Sequence, residues 1–288
     1  MTPLFSLSAL RQNKIRAESR FCQYDFLHRR VLNEMLSRLD MVKRSFEHIL
    51  MVGMPDLAPQ IESKFDCPVT VLDLSPRSTV IGTPDYLPFG AGRFDLILCP
   101  LSLHILNDVP GAFWQLRQSL KPDGFFMTAL MGGETLWELR TALSQADMEQ
   151  GGGLARRLAP LISLQDISAL MQRAQFTLPV VDHEKITVTY ADPLKLIHDL
   201  RGMGEGNPFS PSARPKLSRT VWQHAQNVYR TQFSEDDGRI PATFDILYAC
   251  GWQAHDSQQK PLRPGSAQKR LADALNTSEI GAGEKALP

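Results

Sequence analysis

Short apolar runs that alternate with helical segments constrain the fold of this chain more than any other feature. Four of the runs are His48–Gly53, Val69–Asp73, Phe94–Cys99 and Phe125–Leu130. Runs this apolar are typical of strands that helices cover on both faces. Strands that alternate with helices predict an α/β fold with a doubly wound, mostly parallel sheet.

The segments between the runs carry helix periodicity and helix start signals. Apolar residues recur every fourth position from Leu27 to Leu39, which predicts a helix with one buried stripe. Asn107 or Asp108 can cap the helix that begins near residue 109. Ser163, followed three residues later by Asp166, resembles a capping box.

Domain boundaries follow from these elements and from composition. We predict an N-terminal extension over residues 1–20 and an α/β domain over residues 21–190. A C-terminal elaboration over residues 191–265 is predicted to pack on the same domain. The polar, small residues of 266–288 predict a flexible tail.

Charge and cysteine content exclude several classes of protein. The chain has 31 basic and 31 acidic residues, so no net field favours nucleic acid. Its four cysteines show neither a CxxC pair nor metal-ligand spacing, which predicts a reduced, cytoplasmic protein without a metal site. No apolar run approaches the roughly 20 residues of a transmembrane helix. The apolar residues between Leu4 and Leu10 either pack on the chain's own domain or contact a membrane or partner.

A ligand of such a sheet binds outside the carboxyl ends of its strands. The first run ends at Gly53, and Asp73 ends the second run 20 residues later. A carboxylate at this distance suits the two hydroxyl groups of a ribose, in NAD and S-adenosyl-L-methionine (SAM) alike. The alternative for Asp73 is a simple turn or cap residue.

The loop after the first run departs from the usual pattern of a nucleotide site. It reads Gly53-Met54-Pro55-Asp56-Leu57, so it contains one glycine. Pro55 removes an N–H group and Leu57 adds bulk where a ligand needs close approach to the backbone. The loop is therefore either a modified cofactor loop or a remnant of the scaffold.

Several longer motifs carry a family resemblance. LPF at 87–89, FDLI at 94–97, LSLH at 101–104 and LKPDG at 120–124 resemble the type 11 branch of the class I SAM-dependent methyltransferases. GGETLWELR at 132–140, RGMGEGN at 201–207 and the stretch 241–267 are similar to the family of mitochondrial complex I assembly factor 5 and its bacterial relatives.

The resemblance implies a Rossmann-like, seven-stranded, mostly parallel sheet, and SAM as the cofactor. It implies four cofactor-binding residues: Gly53, Asp73, Asp85 and Leu101. Thr83 stands where the family has an adenine-binding acid, and Asp85 is the nearby substitute.

The implied function is that of a SAM-dependent methyltransferase-like protein that acts on a protein substrate and is linked to respiratory complex I assembly. One alternative is hydroxylation of an arginine on a complex I subunit. Another is a non-catalytic interaction protein with a degenerate SAM site. The implied location is the cytoplasm, with peripheral contact at the inner face of the membrane.

Six further residues are candidates for the reaction. The candidates for catalysis are His104, Glu134 and Tyr248. The candidates for substrate binding are Trp137, Arg140 and Met203. Glu134, Trp137 and Arg140 share a broad face if their segment is helical. All of these candidates except Met203 also have a structural alternative: a hydrogen-bonded loop histidine, a solvated helix with a packed tryptophan, or a tyrosine in the core.

Overall fold

Seven strands form one sheet in the order β3-β2-β1-β4-β5-β7-β6. This computed structural model describes residues 3–150, 153–210, 216–259, 265–266 and 270–278. The strands are β1 Ile49–Val52, β2 Val69–Asp73, β3 Val80–Ile81, β4 Phe94–Pro100, β5 Leu120–Met131, β6 Thr177–Tyr190 and β7 Ile240–Trp252. Strands β3, β2, β1, β4 and β5 pair in parallel, whereas β7 runs antiparallel to β5 and β6. The doubly wound, mostly parallel sheet is therefore confirmed.

Helices flank this sheet on both faces. They are α1 Leu7–Glu18, α2 Phe26–Leu39, α3 Ala58–Phe65, α4 Val109–Ser119, α5 Trp137–Gln150, α6 Leu164–Arg173, α7 Pro193–Gly202 and α8 Arg219–Phe233. These elements belong to a unit that spans residues 1–255. A second unit, residues 256–288, contains the short helix α9 Leu271–Ala274.

The two core clusters explain why the strand runs are continuously apolar. Ile49 and Met51 of β1 pack in the cluster on one face of the sheet, with α2, α5, α7 and α8. Leu50 and Val52 pack in the cluster on the other face, with α4 and α6. Successive side chains of a strand point to opposite faces, so a strand with a core on each side needs apolar residues at every position.

The predicted helix starts agree with the observed caps. The Asp108 side chain accepts a hydrogen bond from the Gly111 N–H at 2.9 Å at the start of α4. Ser163 and Asp166 form the reciprocal capping box at the start of α6. Each cap satisfies backbone N–H groups that have no partner within their helix.

The C-terminal part contains more regular structure than the sequence analysis predicted. The edge strand predicted from alternation over residues 186–190 extends back to Thr177 as β6. Helix α8 was not predicted. Its buried stripe is made of Val221, Ala225, Val228 and Tyr229, a mixture of β-branched, small and aromatic residues that does not stand out as a helical signal.

The N-terminal segment packs on the rest of its own unit. Phe5 and Leu10 are buried with Phe209, and the Phe5 and Phe209 rings stack with centroids 5.9 Å apart. Leu4 and Leu7 are 37% and 40% exposed. None of the helices in the described part of the chain combines the length and the apolar character that a membrane crossing requires.

Candidate functional site

The carboxyl ends of β1, β2 and β4 meet at the point where the strand order reverses. Chain connections from β1 lead to β2 and β3 on one side of the sheet, and β4 and β5 lie on the other. Gly53 follows β1 with φ +88°, and its N–H donates to the Leu72 carbonyl at 2.8 Å. A Cβ at Gly53 would lie 3.0 Å from the Ser102 Cβ and 3.6 Å from Asp73 Oδ2. Any larger residue is therefore strained and crowded at this position.

Asp73 ends β2 beside this glycine and is only 4% exposed. Its Oδ1 accepts a hydrogen bond from the Ser75 N–H at 2.9 Å. Its Oδ2 lies 2.5 Å from the Lys14 Nζ of α1. The spacing along the chain predicts this carboxylate but not its ammonium partner, Lys14.

Helix α1 covers the strand ends through charged contacts. Besides the Lys14–Asp73 ion pair, Glu18 accepts a hydrogen bond from the Ser75 hydroxyl at 3.3 Å and lies 3.7 Å from the Arg77 Nε. The N-terminal extension therefore contributes side chains to the site instead of forming a separate appendage.

A cavity of about 90 Å³ lies between α1 and the strand ends, and we call it the strand-end cavity. Its polar lining includes Lys14, Glu18, His28, Asp73, Ser102 and Glu205. Gly53, Leu101 and Met203 also line it, as do Thr83 and Pro84. The volume is small beside the roughly 300–1,000 Å³ of typical ligand pockets. A nucleoside is larger than this volume, so side chains of the lining have to move for it to bind.

The two bulky residues of the glycine-poor loop occupy different places. Pro55 lines the strand-end cavity and begins a short 3₁₀ helix. Leu57 is 2% exposed and belongs to the hydrophobic core instead of the cavity lining. Met54 adopts a left-handed conformation, φ 55° and ψ 56°, which is unusual for a residue with a side chain. The turn is thus made without a second glycine, and the leucine does not fill the ligand space.

The remaining two cofactor candidates differ in placement. Leu101 lines the strand-end cavity and has φ +44° at the end of β4. Asp85 is buried outside the cavity lining, where its carboxylate accepts hydrogen bonds from the Asp108 N–H at 2.9 Å and the Thr83 hydroxyl at 3.0 Å. Asp85 therefore braces the loop before α4, and Thr83 stands nearer the cavity.

A second cavity, of about 590 Å³, lies among α5, α7, α8 and the loop before α6, and we call it the large cavity. Arg140, a sequence candidate for substrate binding, lines it, whereas Met203, another such candidate, lines the strand-end cavity. Ile105 and Glu205 line both cavities. The two cavities therefore meet at these residues.

The side chains of His104 and Glu205 are hydrogen-bonded at this junction. The His104 Nε2 and a Glu205 carboxylate oxygen are 3.2 Å apart, and the two side chains are 1% and 15% exposed. The His104 Nδ1 is buried and has no hydrogen-bond partner within the described residues. His28, 3% exposed, lies close enough to interact electrostatically with both.

Burial and mutual charge set the protonation of this group. Burial lowers the pKa of His28 to about 4, with smaller contributions from Glu205, which raises it, and from Lys14 and His104, which lower it. Burial pushes the pKa of Glu205 upward, but attraction to His104, His28 and Lys14 outweighs it and leaves the pKa below its ordinary value. At neutral pH the junction therefore contains an ionised carboxylate beside a neutral His28.

Three candidates from the sequence lie away from both cavities. Helix α5 begins at Trp137, so Glu134 precedes the helix and does not share a face with Trp137 and Arg140 as predicted. Glu134 is exposed and pairs with Lys185 at 2.5 Å. Trp137 is 44% exposed, and its ring contacts Phe233 edge to face.

Tyr248 lies in the core. It is 2% exposed, and its hydroxyl donates to Glu184 at 3.4 Å. The Arg38 guanidinium lies 4.0 Å from its ring centroid, and burial raises its pKa above the ordinary value. Such a phenol stays protonated at neutral pH and does not line either cavity.

The site chemistry fits a nucleoside better than a metal. Within the ranges given above, no group of three or more His, Cys, Asp or Glu side chains is arranged to hold a metal ion. Asp73 offers a carboxylate for hydroxyl groups, and the buried Ser102 hydroxyl lacks a hydrogen-bond partner in the described structure. Buried polar atoms are rarely left unpaired, so an unpaired hydroxyl in a cavity wall indicates a polar ligand.

Sequence reasoning missed Lys14, His28 and Glu205. No local pattern gave any of them a role in the site, because each reaches the site through tertiary packing. Glu205 lies within the RGMGEGN motif, which gave a resemblance but no role. His28 falls on the buried stripe of α2, one position after Leu27. A histidine among the apolar residues of a predicted buried stripe is the sequence signal that could have identified His28.

Known proteins resemble this chain in sequence and in fold. Residues 56–128 match the model of the family described as "Methyltransferase domain". The chain is 37% identical over 273 residues to "Arginine-hydroxylase NDUFAF5, mitochondrial" of Danio rerio, covering 90% of this chain and 84% of that protein. The human protein of the same name is 40% identical over 192 residues, which are 67% of this chain but only 55% of the human protein.

Among solved structures, the YcgJ protein of Bacillus subtilis superposes with a TM-score of 0.50 at 16% identity, covering 77% of this chain and 99% of that chain. This likeness concerns the fold alone. The chain has the fold of a methyltransferase-like protein. Because its match to the zebrafish protein covers most of both chains, it belongs to the family of the mitochondrial arginine-hydroxylase NDUFAF5.

Proposed function

We propose that this chain is a SAM-dependent methyltransferase-like enzyme that acts on a protein substrate during respiratory complex I assembly. The observation that carries the proposal is the pairing of Gly53 and Asp73 at the reversal of strand order, where nucleotide ligands bind such sheets. The match to the methyltransferase domain supports SAM as the cofactor. The long motifs shared with the complex I assembly factor family support a complex I subunit as the protein partner.

In this proposal each side chain of the site has a distinct role. Asp73 accepts the ribose hydroxyls, and Gly53 allows the backbone to approach the nucleoside. Bound SAM supplies a methyl group that its sulfonium already activates, so the protein mainly aligns the reactants and excludes water. Met203 and Leu101 form the apolar wall that excludes water.

His104 is the proposed base. Its unpartnered Nδ1 can accept a proton from the acceptor atom, while Glu205 stabilises the resulting imidazolium through Nε2. Arg140 in the large cavity is the proposed substrate contact. Trp137 remains a proposed contact with a protein substrate at the surface, since it is half exposed.

Calorimetric titration with SAM tests the cofactor. We expect saturable binding to the wild type, and roughly 10- to 100-fold weaker binding to Asp73→Asn, because a hydrogen bond to a charged group is lost. Asp182→Asn, at an exposed position of β6, is the matched control and should bind like the wild type. Equal affinity in all three proteins, or no binding to the wild type at millimolar SAM, refutes the assignment of this site.

Arginine hydroxylation is the second candidate function, and the name of the zebrafish relative favours it. Mass spectrometry of complex I subunits from a strain that lacks the gene distinguishes the two reactions. Loss of one oxygen atom from an arginine supports hydroxylation, and loss of one methylene from any residue supports methyl transfer. Unchanged masses argue for a non-catalytic interaction protein.

The Lys14–Asp73 ion pair supports the non-catalytic alternative, because Lys14 already binds the carboxylate that is proposed to bind the ribose. Rescue of complex I assembly by Asp73→Asn would support that alternative. Failed rescue by a folded variant would support an enzyme. We propose a cytoplasmic location with contact at the inner face of the membrane, whereas the relatives are named mitochondrial.

A further inference from the structure

The large cavity has a lining that the proposed reaction does not explain. Its volume of about 590 Å³ lies within the range of small-molecule pockets. Leucine and isoleucine side chains are the largest group in its lining, among them Leu136, Leu139, Leu143, Leu158, Ile197 and Leu200. The wall therefore suits an apolar chain.

The charged groups of the same wall are unbalanced. Arg140, Arg157, Arg201 and Arg219 line the cavity, and Glu205 is the acid that lines it. Glu205 is already paired with His104. A second carboxylate, that of Asp147, lies 2.5 Å from Arg157. Among the charged side chains that line the cavity, Arg157 and Glu205 therefore already have partners.

Three arginines keep their charge available to a ligand. In the parts of the chain that the structure describes, Arg140, Arg201 and Arg219 form no ion pair with a carboxylate. The Arg140 Nε is buried without any hydrogen-bond partner, and its Nη2 is 3.5 Å from the Thr135 carbonyl. A buried guanidinium nitrogen without an acceptor is costly, so an anionic group that enters the cavity is stabilised.

Exposed aliphatic side chains extend the apolar wall outward to solvent. Leu194 and Leu217 are 43% and 46% exposed. Both line the cavity. An amphiphile can therefore enter from solvent with its chain in continuous apolar contact.

We propose that the large cavity binds a small amphiphile, namely an apolar chain that ends in an anionic head group, with the head held by Arg140, Arg201 and Arg219. The charge of the wall disfavours a cationic ligand. The aliphatic wall gives a fully polar ion little to contact. The proposal goes beyond the proposed function, in which Arg140 of the same cavity is a substrate contact. Its test is independent of that function, because binding is measured without SAM and without a protein substrate.

Calorimetric titration of the full chain with dodecanoate, below its micelle concentration, tests the site. We expect dodecanoate to bind at least tenfold more tightly than dodecanol, which has the same chain without the charge. Dodecyl phosphate is the second anionic ligand in this test. If it binds more tightly than dodecanoate, the natural head group is a phosphate, and if it binds more weakly, the natural head group is a carboxylate. Equal binding of dodecanol and dodecanoate, or binding of neither, overturns the proposal.

Variants locate the binding within the molecule. The double variant Arg201→Gln/Arg219→Gln should weaken dodecanoate binding at least tenfold and leave dodecanol binding unchanged. Both positions are exposed, so the fold is retained. Arg173→Gln, an exposed arginine at the end of α6, is the matched control and should bind like the wild type. Wild-type affinity in the double variant shows that the anion lies elsewhere and overturns the assignment.

Discussion

Replacing His28 with a residue that does not titrate should remove a large part of the acid sensitivity of this protein. His28 is 3% exposed on α2, and the edge of its ring packs against Phe21 with centroids 5.1 Å apart. Burial lowers its pKa from 6.5 to about 4. The unfolded chain therefore binds a proton at a pH where the folded chain does not.

The direction and size of the effect follow from this difference. Because the folded pKa is depressed, the contribution of His28 to stability is complete above about pH 6.5 and is lost as the pH falls toward 4. The loss in unfolding free energy amounts to about 2 kcal/mol between pH 7 and pH 5, and to about 3 kcal/mol by pH 4. The depressed pKa of Glu205 acts in the same direction, but below its ordinary value of 4.5. The interval from pH 7 to pH 5 therefore isolates the histidine.

Urea unfolding followed by circular dichroism at pH 7 and pH 5 measures this quantity. His28→Gln should lose about 2 kcal/mol less than the wild type over the interval. Any constant cost of the substitution cancels, since each protein is compared with itself at the other pH. His48→Gln, at an exposed position just before β1, is the control and should follow the wild type. The same pH dependence in His28→Gln and the wild type would refute the reasoning, because His28 would then be hydrated in the folded state.

Two further predictions concern ion pairs. Lys14→Met should tighten SAM binding about fivefold by calorimetry, because the Asp73 carboxylate loses a competing partner at 2.5 Å; weaker binding would instead place Lys14 in contact with the cofactor. Arg157→Met should lower the unfolding free energy by about 3–5 kcal/mol, because it leaves the Asp147 side chain, 2% exposed, without the guanidinium that pairs with it. A loss below about 1 kcal/mol, as for a surface ion pair, would show that Asp147 is hydrated.

The sequence was sufficient for most of the fold because the determining signals are local. The four apolar runs are strands, since a strand covered on both faces needs apolar residues at consecutive positions. Three of them have nearly the predicted boundaries, whereas β5 begins at Leu120, five residues before the predicted run. The Asp108 cap and the Ser163–Asp166 box are read from residues three positions apart. Helix α8 was missed because its stripe lacks the regular large aliphatic residues that mark α2.

The candidate site was only half predictable. Gly53 and Asp73 follow from strand ends and a fixed spacing along the chain. The position of Leu57 did not follow, since only packing shows that its side chain enters the core and leaves the ligand space free. Glu134 and Tyr248 were selected from motif and strand context, and the structure places one at the surface and the other in the core.

The sequence by itself determined the sheet, its switch point and the carboxylate at the end of β2, because hydrophobic periodicity and turn chemistry act between near neighbours. Tertiary structure alone decided that Lys14 reaches Asp73 across 59 residues and that His104 meets Glu205 across 101 residues. It also decided that three arginines from different helices line one aliphatic cavity. Contacts between distant residues depend on the exact placement of each helix on the sheet. Packing of the whole chain fixes that placement, and no local pattern records it.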